Sequence, residues 1–173
     1  TTDAPFISAG ASTSTAYEAV KISSVSLSVE PEQWADALKA GEQELRKAIL
    51  YGFTRAELDE QLANTRQSLK VSVERAETRR TSGLARQILG SVSHDNVMTS
   101  PAFNLEFFES YADSITPERV HIAFKDNWTG YKEPQIYLST ALNIENPESA
   151  VNEVLVESQS VESNPNEEIA LQD

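Results

Sequence analysis

The chain reads as an α+β domain, two-layered, with a mostly antiparallel sheet and helices packed on one of its faces. Three observations predict this class. The N-terminal segment is rich in small and β-branched residues that alternate with polar ones. Two long segments with apolar residues at helical spacing follow, joined at a clearly marked turn. A later run, Gln135 to Leu142, alternates Ile136, Leu138, Thr140 and Leu142 and returns to strand chemistry.

Taken in order, residues 5–14 (Pro-Phe-Ile-Ser-Ala-Gly-Ala-Ser-Thr-Ser) read as a strand with a Gly-softened middle, and Val20 to Val29 as a clearer one. Val20 and Ile22 share one parity, whereas Val25, Leu27 and Val29 share the other. A β-bulge at Ser23-Ser24 would account for that slip. Ser24, Ser26 and Ser28 face the opposite side, as in a sheet wet on one face. The two segments together predict a hairpin or meander.

The first helix starts with Pro31 at its first position, where a missing N–H costs nothing. Trp34, Leu38, Leu45, Ala48 and Ile49 form its apolar stripe. Gly52 follows, suited to the left-handed conformation that closes a helix. Thr54 and Glu57 then have capping-box spacing, and Phe53 and Leu58 stand where a hydrophobic staple would fix the entry angle. The second helix runs from Thr54 through Leu58, Leu62, Leu69, Val73 and Ala76 toward Leu84 and Ile88, with a bend or break expected near Gly83.

After a polar loop (91–100), Ser100-Pro101 starts an aromatic helix from Phe103 to Ala112. Thr116-Pro117-Glu118 starts another, with Ile115 and Val120 placed as a staple. Its stripe is Val120, Ala123, Phe124 and Trp128, and Gly130 closes it. Residues 147–158 make a short helix through Val151, Val154 and Leu155, and the acidic tail beyond Ser158 reads as linker. The expected organisation is an α+β domain over 1–145, with further strands upstream, and a short helix with an acidic interdomain linker over 146–173. Three strands make a narrow sheet.

The 173 residues suffice for one domain with its own core. A net charge of −13 and a pI near 4.5 argue against binding nucleic acid or anionic membrane surfaces, which both require a positive field. Without cysteine, disulfides and thiolate metal sites are excluded. No apolar run approaches the roughly 20 residues needed to span a bilayer. The start, Thr-Thr-Asp-Ala-Pro-Phe, has neither an initiator Met nor a signal-peptide pattern, as expected of a piece of a longer protein.

No H-x-x-E-H, H-E-x-x-H, G-x-S-x-G or P-loop pattern occurs. His94 lies in a polar loop beside Asp95, and His121 reads as a surface or boundary residue of a helix. Neither has metal-ligand spacing to a second His or Glu. Glu42, Glu44, Glu57 and Glu60 read as surface charges, since solvated helix faces do not split carboxylate pKa values. Arg75, Arg79, Arg80 and Arg86, interleaved with Glu74 and Glu77, read as an ion-paired exposed helix facing another domain of the same polypeptide.

These features, in this order, resemble the pitrilysin/insulinase superfamily of zinc metallopeptidases. The matching stretches are Ala4-Pro5-Phe6-Ile7-Ser8-Ala9, Val25-Ser26-Leu27-Ser28-Val29-Glu30-Pro31-Glu32 and Gly52-Phe53-Thr54-Arg55-Ala56-Glu57-Leu58. The long helix from Asp59 through Arg66-Gln67-Ser68-Leu69 continues the match. Later come Thr116-Pro117-Glu118-Arg119-Val120, Asp126-Asn127-Trp128 and Pro134-Gln135-Ile136-Tyr137-Leu138. The resemblance spans about residues 4–142. Phe6 stands near a position where related domains often carry Tyr, so a hydroxyl is absent there.

The resemblance implies an inert second domain of a peptidase half, which walls a substrate chamber while another domain carries H-x-x-E-H and the zinc. No catalytic, cofactor-binding or metal residue carries over to this chain. Its implied partners are other domains of the same polypeptide and, in the parent, peptide substrate. The narrow sheet separately predicts self-association of the piece, by edge-to-edge pairing or through the face a missing partner domain once covered. The compartment stays open between bacterial periplasm and cytoplasm. The alternative is a stand-alone protein-interaction module without peptidase context.

Overall fold

Two strands of near-identical length and small side chains open the computed structural model, which describes residues 4–16, 20–93 and 95–165. β1 (Ser8–Ala16) pairs antiparallel with β2 (Val20–Ser28) in unbroken register from Ser8↔Ser28 to Ala16↔Val20. The expected bulge at Ser23-Ser24 is therefore absent. Val20 and Ile22 instead lie on the face of the serines and remain about half exposed. Register enforces phase only where one face is buried, and this end of the ribbon buries neither. Cross-strand hydroxyl pairs, Ser12 with Ser24 and Thr13 with Ser23, fill the contact in place of apolar side chains.

The molecule is mixed α+β, with six helices and this two-stranded sheet among the described residues. Pro31–Gln33 forms a single 3-10 turn leading into α1 (Trp34–Tyr51), so the α-helix starts three residues after the proline. The chain then divides into two compact units. One combines the residues up to Phe53 with the stretch from Glu118, and the other is Thr54–Pro117.

In the first unit α1 lies against β2. Leu27 is packed so closely that a Cβ on Gly41 would stand 2.8 Å from its Cδ1. Ala37 and Ile49 are buried on α1. Two further helices complete the unit, α5 (Pro117–Asn127) and α6 (Pro147–Ser160), the latter packed on α1. α5 ends three residues before Gly130, and the chain turns through Trp128, which is buried. Phe124 meets Phe53 edge-on at 5.2 Å and Trp128 at 5.9 Å, which ties the end of the α1 segment to α5. Ser23 of β2 donates to the Asn127 carbonyl at 2.6 Å.

The third expected strand does not form. Residues 134–142 run without regular structure, and among the described residues no backbone hydrogen bond joins them to another segment. A strand needs a neighbour for its ladder, and none lies beside this one.

The second unit contains α2 (Arg55–Glu74), α3 (Thr81–Ser93) and α4 (Pro101–Ala112), with α2 packed on α4. Thr54 caps α2. Its hydroxyl accepts from the Glu57 N–H at 3.2 Å, and the Glu57 carboxylate accepts from the Thr54 N–H at 2.7 Å. Thr54→Ala is expected to destabilise the protein by about 0.5–2 kcal/mol. The midpoint of chemical denaturation measures it, and an unchanged midpoint would remove the cap from the stabilising contacts.

The bend or break expected near Gly83 is a break, and it falls at Arg75–Arg80, a few residues ahead of that glycine. Thr78 Oγ1 donates to the Arg75 carbonyl and Arg79 Nε to the Ala76 carbonyl. These side chains take acceptors that a continuing helix would give to its own amides. Gly83 falls within the first turn of α3, where its N–H reaches the Arg80 carbonyl at 2.9 Å. Ser100 caps α4 through the Phe103 N–H at 3.1 Å, with Pro101 at the first helical position, as its sequence dictates.

Candidate functional site

Four arrangements of polar or exposed apolar groups stand out. The first surrounds Gly52, at the end of α1. Its φ of 76° and ψ of −144° lie in a region that side-chain-bearing residues rarely enter. Its N–H closes the helix on the Ala48 carbonyl at 3.0 Å. His121 of α5 covers it, with Nε2 2.8 Å from the Ile49 carbonyl. The sequence left His121 as a surface or boundary residue, and it is half-buried as a helix-end partner. His94 lies outside the described residues.

The second is a clasp between α1 and α6. Arg46 Nη1 donates to the carbonyls of Gln159 and Val161 at 3.4 and 2.6 Å, and Nη2 to that of Ser158 at 3.0 Å. Gln159 lies in the last turn of α6 and Val161 just past it, and the Ser158 carbonyl also accepts the Val161 N–H at 3.1 Å. Glu42 sits 3.0 Å from Arg46 Nε and accepts a hydrogen bond from Ser158, a residue with no exposed surface. Lys39 pairs with Glu157 at 2.8 Å, and the Tyr51 hydroxyl donates to the Ser163 carbonyl. Glu42 was expected to be a solvated surface charge. Its side chain is 12% exposed, because α6 covers that face of α1. The i,i+4 spacing of Glu42 and Arg46 was visible in sequence, but their burial under Ser158 was not.

The third lies in the second unit. Arg66 of α2 meets Glu109 of α4 in a two-pronged pair, Nε to Oε1 at 2.8 Å and Nη2 to Oε2 at 3.0 Å, and its Cζ lies 5.6 Å from the Phe108 ring centre. The hydrogen bond from Arg66 holds the Glu109 carboxyl below its ordinary range, and the same bond raises Arg66. On α4, Phe103, Phe107 and Tyr111 form a ladder along one face, with centroid spacings of 6.1 and 4.8 Å, each ring about half exposed. The sequence marked this helix as aromatic but gave no sign that the rings would face outward.

The expected ion-paired cluster of arginines is not formed. Among the described residues no carboxylate lies within 4.0 Å of Arg75, Arg79, Arg80 or Arg86. The break at 75–80 removes the continuous helical spacing that such pairs require.

The fourth is a shallow groove of about 660 Å³ between residues 134–144 and the start of α6, where Leu138 and Val151 supply the apolar wall and Asn152 the polar one. Among the described residues no group of three His, Cys, Asp or Glu gathers where it could hold a metal ion, and no helix is long and apolar enough to cross a membrane. Compared with family models, with curated proteins and with solved structures, the chain matches none.

Proposed function

We propose that this chain is a non-catalytic domain that walls the substrate chamber of a zinc-dependent peptidase whose active site lies in another domain. The observation that carries this reading is the corner at 52–58, through which the sequence resembles the pitrilysin/insulinase superfamily. There Gly52 takes a positive φ and Thr54 and Glu57 exchange their capping bonds. Both features are backbone caps, one ending α1 and the other starting α2, and such capping is the work of a scaffold. The reading includes a two-layer domain in which the sheet extends beyond β1 and β2. It also places the zinc in the parent's catalytic domain, and it makes that domain and the enclosed peptide the partners of this one. The gene should then encode H-x-x-E-H roughly a domain length upstream, and its absence there would overturn the peptidase context.

Within this reading the isolated chain is expected to hold no stoichiometric zinc and to cleave no peptide. Its two histidines stand 27 positions apart, it has no cysteine, and among the described residues no three His, Cys, Asp or Glu gather where they could hold a metal ion. Metal analysis after dialysis, with a peptidase assay, checks this. One tightly held zinc per chain, with activity that a chelator removes, would end the scaffold reading.

A stand-alone interaction module is the second reading. The outward aromatic ladder of α4 favours it, since aromatic side chains presented together are the usual anchors of protein interfaces.

A further inference from the structure

We propose that residues 134–142 are a pairing edge for the same segment of a second copy of this chain, joined antiparallel across a two-fold axis. The segment has the side-chain alternation of a strand without its ladder. Leu138 and Thr140 are half-buried, whereas Tyr137 and Ser139 point to solvent, Tyr137 with 90% of its surface exposed. Among the described residues its backbone N–H and C=O groups bond to no other backbone, and the Leu142 N–H is held by Thr140 Oγ1 at 3.1 Å. A row of main-chain groups without backbone partners is complementary to one kind of partner, another extended chain.

Charge selects which chain. The protein carries a net −13, yet no charged residue lies between Glu133 and Glu145. A second copy is repelled over most of this surface and meets no like charge along this stretch. A basic partner finds no carboxylate here to recognise. The segment is uncharged, β-prone and free of proline after Pro134, the composition that favours strand-to-strand pairing of identical segments.

The symmetry also fixes the register. An axis normal to the sheet keeps each residue on the same face in both copies, so opposite residues must share parity and the pairing must centre on a residue. Centred on Leu138, the pairing sets Ile136 against Thr140, Tyr137 against Ser139 and Pro134 against Leu142. Moving the centre to Ser139 opposes Glu133 to Glu145. Moving it to Tyr137 sets Leu142 against Lys132. Only the Leu138 centre pairs every residue of 134–142 with a residue of that segment, which keeps charged residues out of its ladder, where like charges directly opposite destabilise pairing. Leu138 is therefore the centre.

Light scattering and sedimentation over a concentration series test the proposal. The wild-type chain should pass from monomer to dimer and stop there. Tyr137→Asp/Ser139→Asp places carboxylate against carboxylate at both crossings, on exposed positions that leave the helices and their circular dichroism unchanged, and should lose the dimer. Tyr137→Lys/Ser139→Lys should lose it too, and mixing the two variants should restore it. Because the chain has no cysteine, single cysteines report the register. Leu138→Cys should give a covalent dimer on oxidation. Gln135→Cys should not, since its symmetry mate lies far beyond the reach of a disulfide. A wild-type chain that stays monomeric overturns the proposal, as does mass growing past two copies. The proposal also fails if the Asp variant dimerises like wild type, if the mixed variants remain monomers, or if Gln135→Cys cross-links as well as Leu138→Cys.

Discussion

Gly52→Ala is expected to cost about 2–4 kcal/mol of stability, the sum of backbone strain and a steric clash. The backbone at φ 76°, ψ −144° is open essentially to glycine alone, so any Cβ raises the energy of the helix end even in free space. The space is not free. A Cβ there would stand 2.8 Å from His121 Cγ and 3.0 Å from both His121 Cβ and Nδ1. Those atoms belong to the root and near edge of the ring, and its far nitrogen is 2.8 Å from the Ile49 carbonyl. The ring cannot swing aside without giving up that contact. Urea denaturation measures the effect. Gly52→Ala/His121→Ala should recover the steric part and keep the strain, so the double variant should be less destabilised than the sum of the two single changes. A wild-type midpoint for Gly52→Ala would show that the corner relaxes in solution.

Arg46→Ala is expected to cost about 2–3 kcal/mol, near the lower end for breaking a buried ion pair, because both side chains keep a little exposure. The guanidinium serves two roles. It neutralises Glu42, and it donates to three carbonyls beyond and at the end of α6. Its removal leaves a carboxylate 12% exposed with only the Ser158 hydroxyl donating to it. Arg46→Lys should lie between the two, since an ammonium supplies charge without the planar fork. Arg46→Ala/Glu42→Gln should be less destabilised than Arg46→Ala alone, because no uncompensated charge remains. Chemical denaturation of the set decides it. If Arg46→Ala and wild type share a midpoint, the clasp is not a source of stability.

Much of the local structure was legible because it depends on residues close in sequence. The Thr54–Glu57 cap, the Ser100-Pro101 start and the 147–158 helix are fixed by spacing and backbone chemistry, and the structure reproduces them. What failed depended on neighbours. The alternation at 135–142 states a capacity to pair, but pairing requires a second strand that periodicity does not supply. The helix break expected near Gly83 falls a few residues earlier, at Arg75–Arg80, where hydroxyl and guanidinium groups bond to backbone carbonyls, a competition that propensity scales do not contain. Glu42 illustrates the same limit for the candidate site. Nothing in its own helix shows that Ser158 will cover it.

The clasp between α1 and α6 also sets an order of events during synthesis. Arg46 and Ser158 are separated by 112 positions, and the whole of Thr54–Pro117 lies between them in the chain. At bacterial or eukaryotic rates of elongation, α1 leaves the ribosome roughly 6–22 s before its partner carbonyls do. α2 and α4 are joined by nearer contacts, such as Arg66 with Glu109 at 43 positions, and find each other within that interval. In the nascent chain the Glu42–Arg46 face of α1 therefore waits uncovered until α6 has been made. That interval is the period in which this polypeptide has most need of a chaperone.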